Sequence, residues 1–297
     1  MPASALMVLA TFLFASMGVC VKLASDLYGT GEIVFYRGLI GASMLFVVSR
    51  VRRGTLATPV PSMHFWRSLT GVTALCMWFY SIGNLPLATA MTLNYMSSVW
   101  MALFLIGGAV ALGTTRVDGK VVATVLLGFG GVALVLRPTM DQNQLWHGVV
   151  GLISGMISAT AYLQVTALGR IGEPEYRTVF YFSLGGLIAG ALITLLTGGF
   201  HAHSWKGAAL LVAVGLLATT AQLLMTRAYA TGRTLVNASL QYLGIAFSFG
   251  YGVLLFDDPV TAMALAGMVL IVGAGVAATL LRTKVTHSTD TTTMTES

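Results

Sequence analysis

Ten apolar stretches, each long enough to cross a lipid bilayer, constrain this chain more than any other feature of its sequence. A helix needs about 20 mostly apolar residues to span the hydrocarbon core of a membrane. All the prolines fall outside the stretches, where a missing N–H does no harm. The sequence therefore predicts an all-α polytopic membrane protein with ten transmembrane helices, over residues 4–24, 31–49, 65–83, 87–112, 119–136, 148–168, 178–196, 206–228, 234–256 and 261–281.

The composition agrees with this interpretation. Hydrophobic residues make up 56% of the 297 residues and charged residues only 9%, whereas soluble domains are about 25% charged. The 34 glycines suit helices that pack closely in lipid. Cys20 and Cys76 lie inside apolar stretches, so we expect free thiols and neither a disulfide nor a metal site. The first stretch lacks a cationic segment before it, which favours a retained helix over a cleaved signal peptide.

The basic residues predict an orientation. With the N-terminus in the cytoplasm, only Lys22, Arg137 and Lys206 fall on the outer side, and Arg37 lies within a stretch. This bias follows the positive-inside rule and accounts for the net charge of +6 without nucleic acid. We expect both termini in the cytoplasm of a bacterial inner membrane, and a monomer or weak homodimer. The twelve inner basic residues are Arg50, Arg52, Arg53, Arg67, Arg116, Lys120, Arg170, Arg177, Arg227, Arg233, Arg282 and Lys284.

The chain contains an internal repeat. Residues 80–95 align with residues 227–242 at a constant offset of 147, and Asn94-Tyr95 corresponds to Gln241-Tyr242. Gly-Val-Ala at 131–133 recurs at 275–277, at an offset of 144. Because five helices per half is an odd number, the two halves must have opposite orientations in the membrane. We predict two inverted five-helix repeats, residues 1–140 and 141–284, followed by a disordered cytoplasmic tail, 285–297. Inverted repeats place a binding site near the midplane and permit alternating access.

Several of these segments resemble a known transporter family. Phe14-Ala15-Ser16 through Lys22 is similar to the Trp-Gly-Ser…Lys pattern of the EamA branch of the drug/metabolite transporter superfamily, and Arg37 matches that family's arginine. The segment 221–229 resembles its eighth helix. The chain departs from the family because the fourth and ninth stretches lack its mid-helix proline, and because Gly113-Thr114 and Asp257-Asp258 replace Gly-Glu at their ends. The resemblance covers residues 4–282 and implies ten helices in two inverted halves. Within the family, the aromatic-rich core is most similar to YddG-type aromatic amino-acid exporters.

Polar residues inside the stretches are candidates for substrate contacts. Asn94 and Ser98 are spaced i, i+4, as are Asn237 and Gln241, so each pair shares a helix face. Gln222 lies near the middle of the eighth stretch. Two interpretations remain open: hydrogen bonds between helices, worth about 0.6 kcal/mol each, or a cavity wall that offers neutral donors and acceptors to a zwitterion.

Aromatic and charged residues form two further groups of candidates. Trp78, Tyr80, Tyr95, Tyr162 and Tyr242 lie inside stretches, where they line a cavity or pack in the core. The charged candidates are structural or gating residues. Lys22 can reach the outer surface from the end of its helix. Arg37 can pair with Glu32 or Asp26 at the outer mouth, or hold a substrate carboxylate; we favour the structural role.

No stretch contains an acidic residue or histidine deep within it, and no metal cluster, phosphate loop or nucleophilic serine motif is present. We therefore predict no cofactor and no enzymatic activity. The sequence favours a secondary exporter of small amino-acid-like metabolites, aromatic amino acids above all; drugs, nucleosides or S-adenosylmethionine are alternative cargoes. Two other functional classes, a membrane enzyme and a channel, are the alternatives to a transporter. Without a buried carboxylate for protons, we expect facilitated diffusion or exchange, with Glu32 as the first candidate if protons do couple.

Overall fold

A computed structural model describes residues 2–51, 53–111, 144–232, 236–237, 240–258, 261–263, 265–270 and 272–273, and the isolated positions 127, 130, 131 and 134. Throughout this part of the chain the regular structure is helical, which confirms the predicted all-α class. Most of the fifth and tenth stretches and the predicted tail at 285–297 lie outside the described residues.

The helices follow the predicted stretches closely where both can be compared. Five of them, α1, α2, α6, α7 and α8, are long and apolar enough to cross a membrane. The helices of the described ranges are α1 (Ala3–Ser25), α2 (Thr30–Val51), α3 (Pro61–Asn84), α4 (Leu87–Tyr95), α5 (Ser97–Ala111), α6 (Leu145–Arg170), α7 (Glu175–Leu196), α8 (Trp205–Thr231) and α9 (Leu243–Phe256).

Local sequence signals explain where several helices begin. Pro61 opens α3, where its fixed φ suits the first helical position and its missing N–H would have had no partner. Pro174 is the capping residue before α7 and has an extended backbone conformation. The Ser204 side chain accepts a hydrogen bond of 3.0 Å from the Gly207 N–H and so caps α8. The start of α3 at Pro61 corrects the prediction of residue 65, because hydropathy alone missed the polar first turn.

The fourth and ninth stretches are not the continuous helices that we predicted. The fourth divides at Met96, whose carbonyl accepts from the Val99 N–H at 2.9 Å, a tight i to i+3 bond. In the ninth, Gln241 and Tyr242 form a turn before α9, and the Gly244 N–H donates to the Gln241 carbonyl at 2.9 Å. Turns of this kind inside membrane helices often mark functional sites. At the repeat offset of 147, Met96 corresponds to Leu243, so the two turns fall within two residues of each other, although neither stretch contains a proline.

The most extensive helix pair is α2 with α7, and glycines allow it. A Cβ on Gly38 would lie 2.3 Å from the Leu187 backbone nitrogen, and one on Gly190 would lie 2.4 Å from the Phe35 nitrogen. Neither position has room for a side chain, so the two backbones touch. Close approach through small residues is the usual basis of helix association in lipid.

Large apolar side chains lie on the outer surface and several polar side chains are buried, as expected for a protein in lipid. Leu254 and Leu196 on the surface are 80% and 77% exposed, whereas Arg37, Arg67, Asn94, Gln222 and Gln241 are all buried. Such extensive exposed apolar surface suits a lipid environment rather than water. We call the end of the bundle where α1 begins the inner end and the end where α1 stops the outer end, after the predicted orientation.

Candidate functional site

A small cavity lies at the centre of the bundle, where α1, α2, α3, α4, α6, α7 and α8 meet. About 40 Å³ is open to the centres of water molecules, whereas a single water needs roughly 10–15 Å³ on this measure. In this conformation the cavity has room for a few waters, and a metabolite fits only if the helices separate. Its lining is Met7, Thr11, Phe14, Arg37, Arg67, Gly71, Ala74, Leu75, Trp78, Asn94, Tyr95, Ser158, Ala161, Tyr162, Phe182, Gln222 and Gln241.

Many of the residues that the sequence predicted for substrate contact meet in this lining. They come from five different parts of the chain, far apart in sequence, and the fold brings them to one place. The predicted residues on the cavity wall are Trp78, Asn94, Tyr95, Tyr162, Gln222 and Gln241.

The other four predicted contact residues lie away from the cavity lining. Tyr80 packs against His147 at the outer end, with ring centroids 5.3 Å apart. Asn237 donates from Nδ2 to the Ala228 carbonyl near the end of α8. This is a structural hydrogen bond, one of the two interpretations that the sequence left open for this residue. Ser98 and Tyr242 interact with each other across the two interrupted stretches.

The amides on the wall differ in what remains free for a ligand. Asn94 donates from Nδ2 to the hydroxyls of Ser154 and Ser158 on α6, at 2.9 and 3.3 Å. Within the described chain, Gln222 Nε2 and Gln241 Oε1 have no hydrogen-bond partner. A buried polar atom without a partner is costly in free energy. These two amides therefore present one donor and one acceptor to whatever occupies the cavity.

The aromatic residues form one wall of the cavity. Trp78 packs edge-on against Phe14, with centroids 6.3 Å apart, and Tyr162 stacks on Tyr229 at 5.7 Å. The Trp78 Nε1 and the Tyr95 hydroxyl have no partner among the described residues. Buried Trp and Tyr usually satisfy these groups, so the wall offers both flat apolar surface and hydrogen-bond donors.

Two arginines also line the cavity. For Arg37 the sequence analysis gave a substrate carboxylate only as the less favoured alternative, and it did not place Arg67 there. Arg37 and Arg67 are 3% and 2% exposed, and their Cζ atoms lie 4.8 and 4.3 Å from the centroid of the same Phe182 ring. Contacts of this kind contribute about 0.5–2 kcal/mol each. Arg37 pairs with neither Glu32 nor Asp26, the partners we expected for it. Arg67 was counted among the inner basic residues because it stands near the start of the predicted stretch 65–83. The start of α3 at Pro61 places it deeper in the helix.

Lys22 lies at the outer end and has partners there. Its Nζ donates to the Leu85 carbonyl at 2.7 Å and lies 5.3 Å from the Phe256 ring centroid. The nearby Asp258 carboxylate accepts from the Leu87 N–H at 3.0 Å. Burial raises the pKa of Asp258 above its usual range, although Lys22 and the Leu87 N–H act in the opposite direction. These contacts join the ends of α1 and α9 to the start of α4, a structural role.

Glu32 and His201 form a contact at the outer end, which we call the outer cluster. The Glu32 carboxylate is buried and lies 2.8 Å from His201 Nδ1, while the His201 side chain is 58% exposed. The backbone N–H of His201 also donates to the carboxylate, at 3.3 and 3.4 Å. Glu32 therefore joins the start of α2 to the α7–α8 loop. Its partner is His201 and not Arg37.

His64, Glu173 and Arg177 form the inner cluster at the other end. Glu173 Oε1 lies 2.8 Å from His64 Nε2, and Arg177 donates to both carboxylate oxygens at 3.0 Å. Arg177 also donates to the Thr55 carbonyl, at 3.0 and 3.2 Å. Burial acts to raise the pKa of Glu173, but hydrogen bonds from His64, Thr58 and Arg177 outweigh it and hold the pKa below its usual value. All three side chains are buried.

Comparisons with known proteins identify the class to which this fold belongs. The chain is 32% identical to the pseudopaline exporter CntI of Pseudomonas aeruginosa over 284 residues, 94% of this chain and 95% of that protein. It is 29% identical to the riboflavin transporter of Rhizobium johnstonii over 64% of this chain and 62% of that protein. Human solute carrier family 35 member G1 is 21% identical, over 92% of this chain and 77% of that protein. These relatives and the helical fold define a multi-pass membrane transporter.

The family follows from the same comparisons. The EamA-like transporter family matches residues 1–137. Together with the exporter that matches nearly the whole chain, this shows that the protein belongs to the EamA-like transporter family, within the drug/metabolite transporter superfamily. A protein of known crystal structure shares the fold, with a TM-score of 0.69, 18% identity and coverage of 95% of this chain and 98% of the other.

Proposed function

We propose that this protein exports small amino-acid-like metabolites by alternating access around the central cavity. The observation that carries the proposal is the cavity itself, which lies deep among membrane helices and is lined by polar atoms without partners. Polar groups in this position are expensive unless a ligand or water satisfies them. The aromatic wall of Trp78, Tyr95 and Tyr162 suits a flat side chain, which favours aromatic amino acids among the cargoes. The similarity to an exporter supports outward movement.

Two inverted repeats, residues 1–140 and 141–284, would provide the mechanism. The contacts support this arrangement: α1 packs with α8 as α3 packs with α6, and α2 packs with α7. In the predicted repeat, α1, α2 and α3 of the first half correspond to α6, α7 and α8 of the second half. When the halves are exchanged, the pair of α1 and α8 becomes the pair of α6 and α3, and the pair of α2 and α7 becomes itself. The interruptions at Met96 and at Gln241-Tyr242 also lie within two residues of each other when the two stretches are aligned at the repeat offset of 147. A rocking motion between halves of this kind would expose the cavity to each side in turn.

The orientation completes the proposal. An excess of Arg and Lys at the inner end supports cytoplasmic termini and a bacterial inner membrane. The excess remains when the buried Arg67 is no longer counted among the inner basic residues. Labelling of Gly29→Cys and Thr55→Cys with a membrane-impermeant thiol reagent tests this. The cysteine introduced at position 29 should react from outside the cell, and the one at position 55 only after the membrane is opened. Reaction of both from the same side would contradict the orientation.

Export itself is tested in proteoliposomes that contain only the purified protein. Vesicles are loaded with labelled L-phenylalanine, L-tyrosine, L-tryptophan, L-glutamate or L-lysine, and efflux is compared with that from protein-free vesicles. We expect efflux of at least one of them to depend on the protein and to fall in Gln241→Leu with unchanged protein abundance. If none of the five moves faster than in protein-free vesicles, the proposal of amino-acid export is wrong.

A further inference from the structure

The cavity holds two positive charges whose purpose the proposed function does not explain. Arg37 reaches it from α2, which begins at the outer end, and Arg67 reaches it from α3, which begins at the inner end. Both guanidinium groups lie against the Phe182 ring. A single charged group would suffice to hold the carboxylate of an ordinary amino acid.

Neither guanidinium is neutralised by a carboxylate of the described residues. Among the described residues no carboxylate pairs with Arg37 or Arg67, and Arg37 Nε, Arg67 Nε and one terminal Arg67 nitrogen have no hydrogen-bond partner. The two charges also repel each other, because they share one small, largely apolar cavity. The ring face of Phe182 offsets only part of this cost.

Other buried charges in the same molecule are satisfied. Glu32 has His201, Glu173 has both His64 and Arg177, and Lys22 donates to the Leu85 carbonyl. The unpaired charge is thus concentrated in the cavity, where a ligand can supply what the protein does not. Guanidinium groups bind carboxylates through two parallel hydrogen bonds, which makes them well suited to this task.

We infer that the cargo carries two carboxylates, one for Arg37 and one for Arg67, with its apolar part against the aromatic wall. The inference rests on the proposed function and narrows its substrate class to amino-acid-like diacids. Gln222 Nε2 and Gln241 Oε1 remain available for the amino group or other polar atoms between the two carboxylates. Loss of one charge-assisted contact should weaken diacid binding by roughly 10- to 100-fold.

The test compares two solutes that differ by one carboxylate: L-phenylalanine and N-carboxymethyl-L-phenylalanine. Proteoliposome efflux of each is measured for the wild type and for Arg37→Gln and Arg67→Gln. We expect the wild type to transport the diacid at least about tenfold more efficiently, and each substitution to remove most of this preference, because the remaining arginine still binds one carboxylate. Arg50→Gln is the matched control, since Arg50 lies over the Phe46 ring on the same helix but is exposed.

Binding to the detergent-purified protein separates the proposal of export from the inference of a diacid site. The diacid should raise the melting temperature of the wild type and of Arg50→Gln, and raise it less in Arg37→Gln and Arg67→Gln. If the diacid binds in this pattern but does not move across the membrane, the diacid site stands and export fails. If phenylalanine moves and the diacid neither binds nor moves better, export stands and the inference is wrong. Equal preference for the diacid in the wild type and both cavity variants would also overturn it.

Discussion

The outer and inner ends of the bundle are held together in different ways. At the outer end the backbones of α2 and α7 touch: a Cβ on Gly190 would meet the Phe35 nitrogen, and one on Gly31 would lie 2.9 Å from the Thr194 nitrogen. The outer cluster there includes the largely exposed His201. At the inner end a buried network of His64, Glu173 and Arg177 joins the α6–α7 loop to the start of α3.

This difference indicates how each end would open. Hydrogen bonds and ion pairs between side chains can be broken and remade without moving the whole of a helix, whereas packed backbones separate only if the helices themselves shift. The inner cluster is therefore the better candidate for a gate through which cargo is loaded from the cytoplasm. The outer end would open by a movement of α2 against α7, with the outer cluster contributing less.

The largest effect should come from the inner cluster. Glu173→Ala leaves Arg177 and His64 buried without their carboxylate, and breaking a buried ion pair in this way costs about 3–5 kcal/mol. We expect a marked fall in the melting temperature of the purified protein. Glu175→Ala is the matched control, because that carboxylate lies 3.7 Å from an exposed Arg227 nitrogen and its loss should cost at most about 1 kcal/mol. Equal effects of the two substitutions would contradict the comparison.

Gly190→Ala tests the packing at the outer end. The added methyl group meets backbone that cannot move aside, so we expect a loss of about 1–3 kcal/mol, the usual cost of overpacking. Gly108→Ala in α5 is the control, since nothing lies within 4 Å of an added Cβ there. Alanine favours helices over glycine, so this control should melt at the same temperature or slightly higher. If Gly190→Ala melts like the control, the backbones do not touch as described.

Glu32→Gln should have a smaller effect than either. The amide still accepts a hydrogen bond, and only the charge facing the exposed His201 is lost, so we expect about 1 kcal/mol. Thermal melting of Glu32→Gln beside Glu173→Ala measures the asymmetry directly. A loss at Glu32 as large as that at Glu173 would mean that the two ends are closed by equivalent ionic contacts.

The smallest predicted effect is a pH dependence of the inner cluster. The pKa of Glu173 is lower in the folded protein than in the unfolded chain, so its contribution to stability is fully present above the ordinary glutamate value of about 4.3. That contribution is lost as the pH falls through the lower, folded value. The difference in melting temperature between wild type and Glu173→Gln should therefore not shrink between pH 7 and about pH 5, and should shrink at more acidic pH. A difference that already shrinks near neutral pH would contradict the lowered pKa.

Much of the fold could be predicted because apolar stretches of bilayer length leave few alternatives. The turns at Met96 and Gln241 could not, because neither contains a proline and because Gly244, beside the second turn, is only one of 34 glycines in the chain. The backbone at both turns is shaped by packing against other helices. A Cβ on Gly155 of α6, for example, would lie 2.5 Å from the Leu93 carbonyl oxygen just before the turn. Only the tertiary structure shows that contact.

The candidate site was predicted in part, for a similar reason. The matched Asn94 and Gln241 identified one wall of the cavity, since amides deep in apolar helices stand out in a sequence. Arg67 was missed because the count of basic residues treats any arginine near a helix end as facing water. The partner of Glu32 was missed because His201 lies in a loop, and loop contacts follow no periodic pattern. The contacts of Arg67 with Phe182 and of Glu32 with His201 join residues far apart in the sequence, and hydropathy gives no information about such contacts.

The most direct test of alternating access uses a single cysteine in the cavity wall. Ala161 lines the cavity, is 2% exposed and has no polar side chain, so Ala161→Cys leaves the proposed binding groups intact. The native Cys20 and Cys76 are replaced by serine, and reaction with a membrane-impermeant thiol reagent is measured from the cytoplasmic side in inverted vesicles and from the outer side in intact cells. The account predicts reaction from both sides, and slower reaction from both when transported cargo is present. Reaction from one side alone, or from neither, would contradict it.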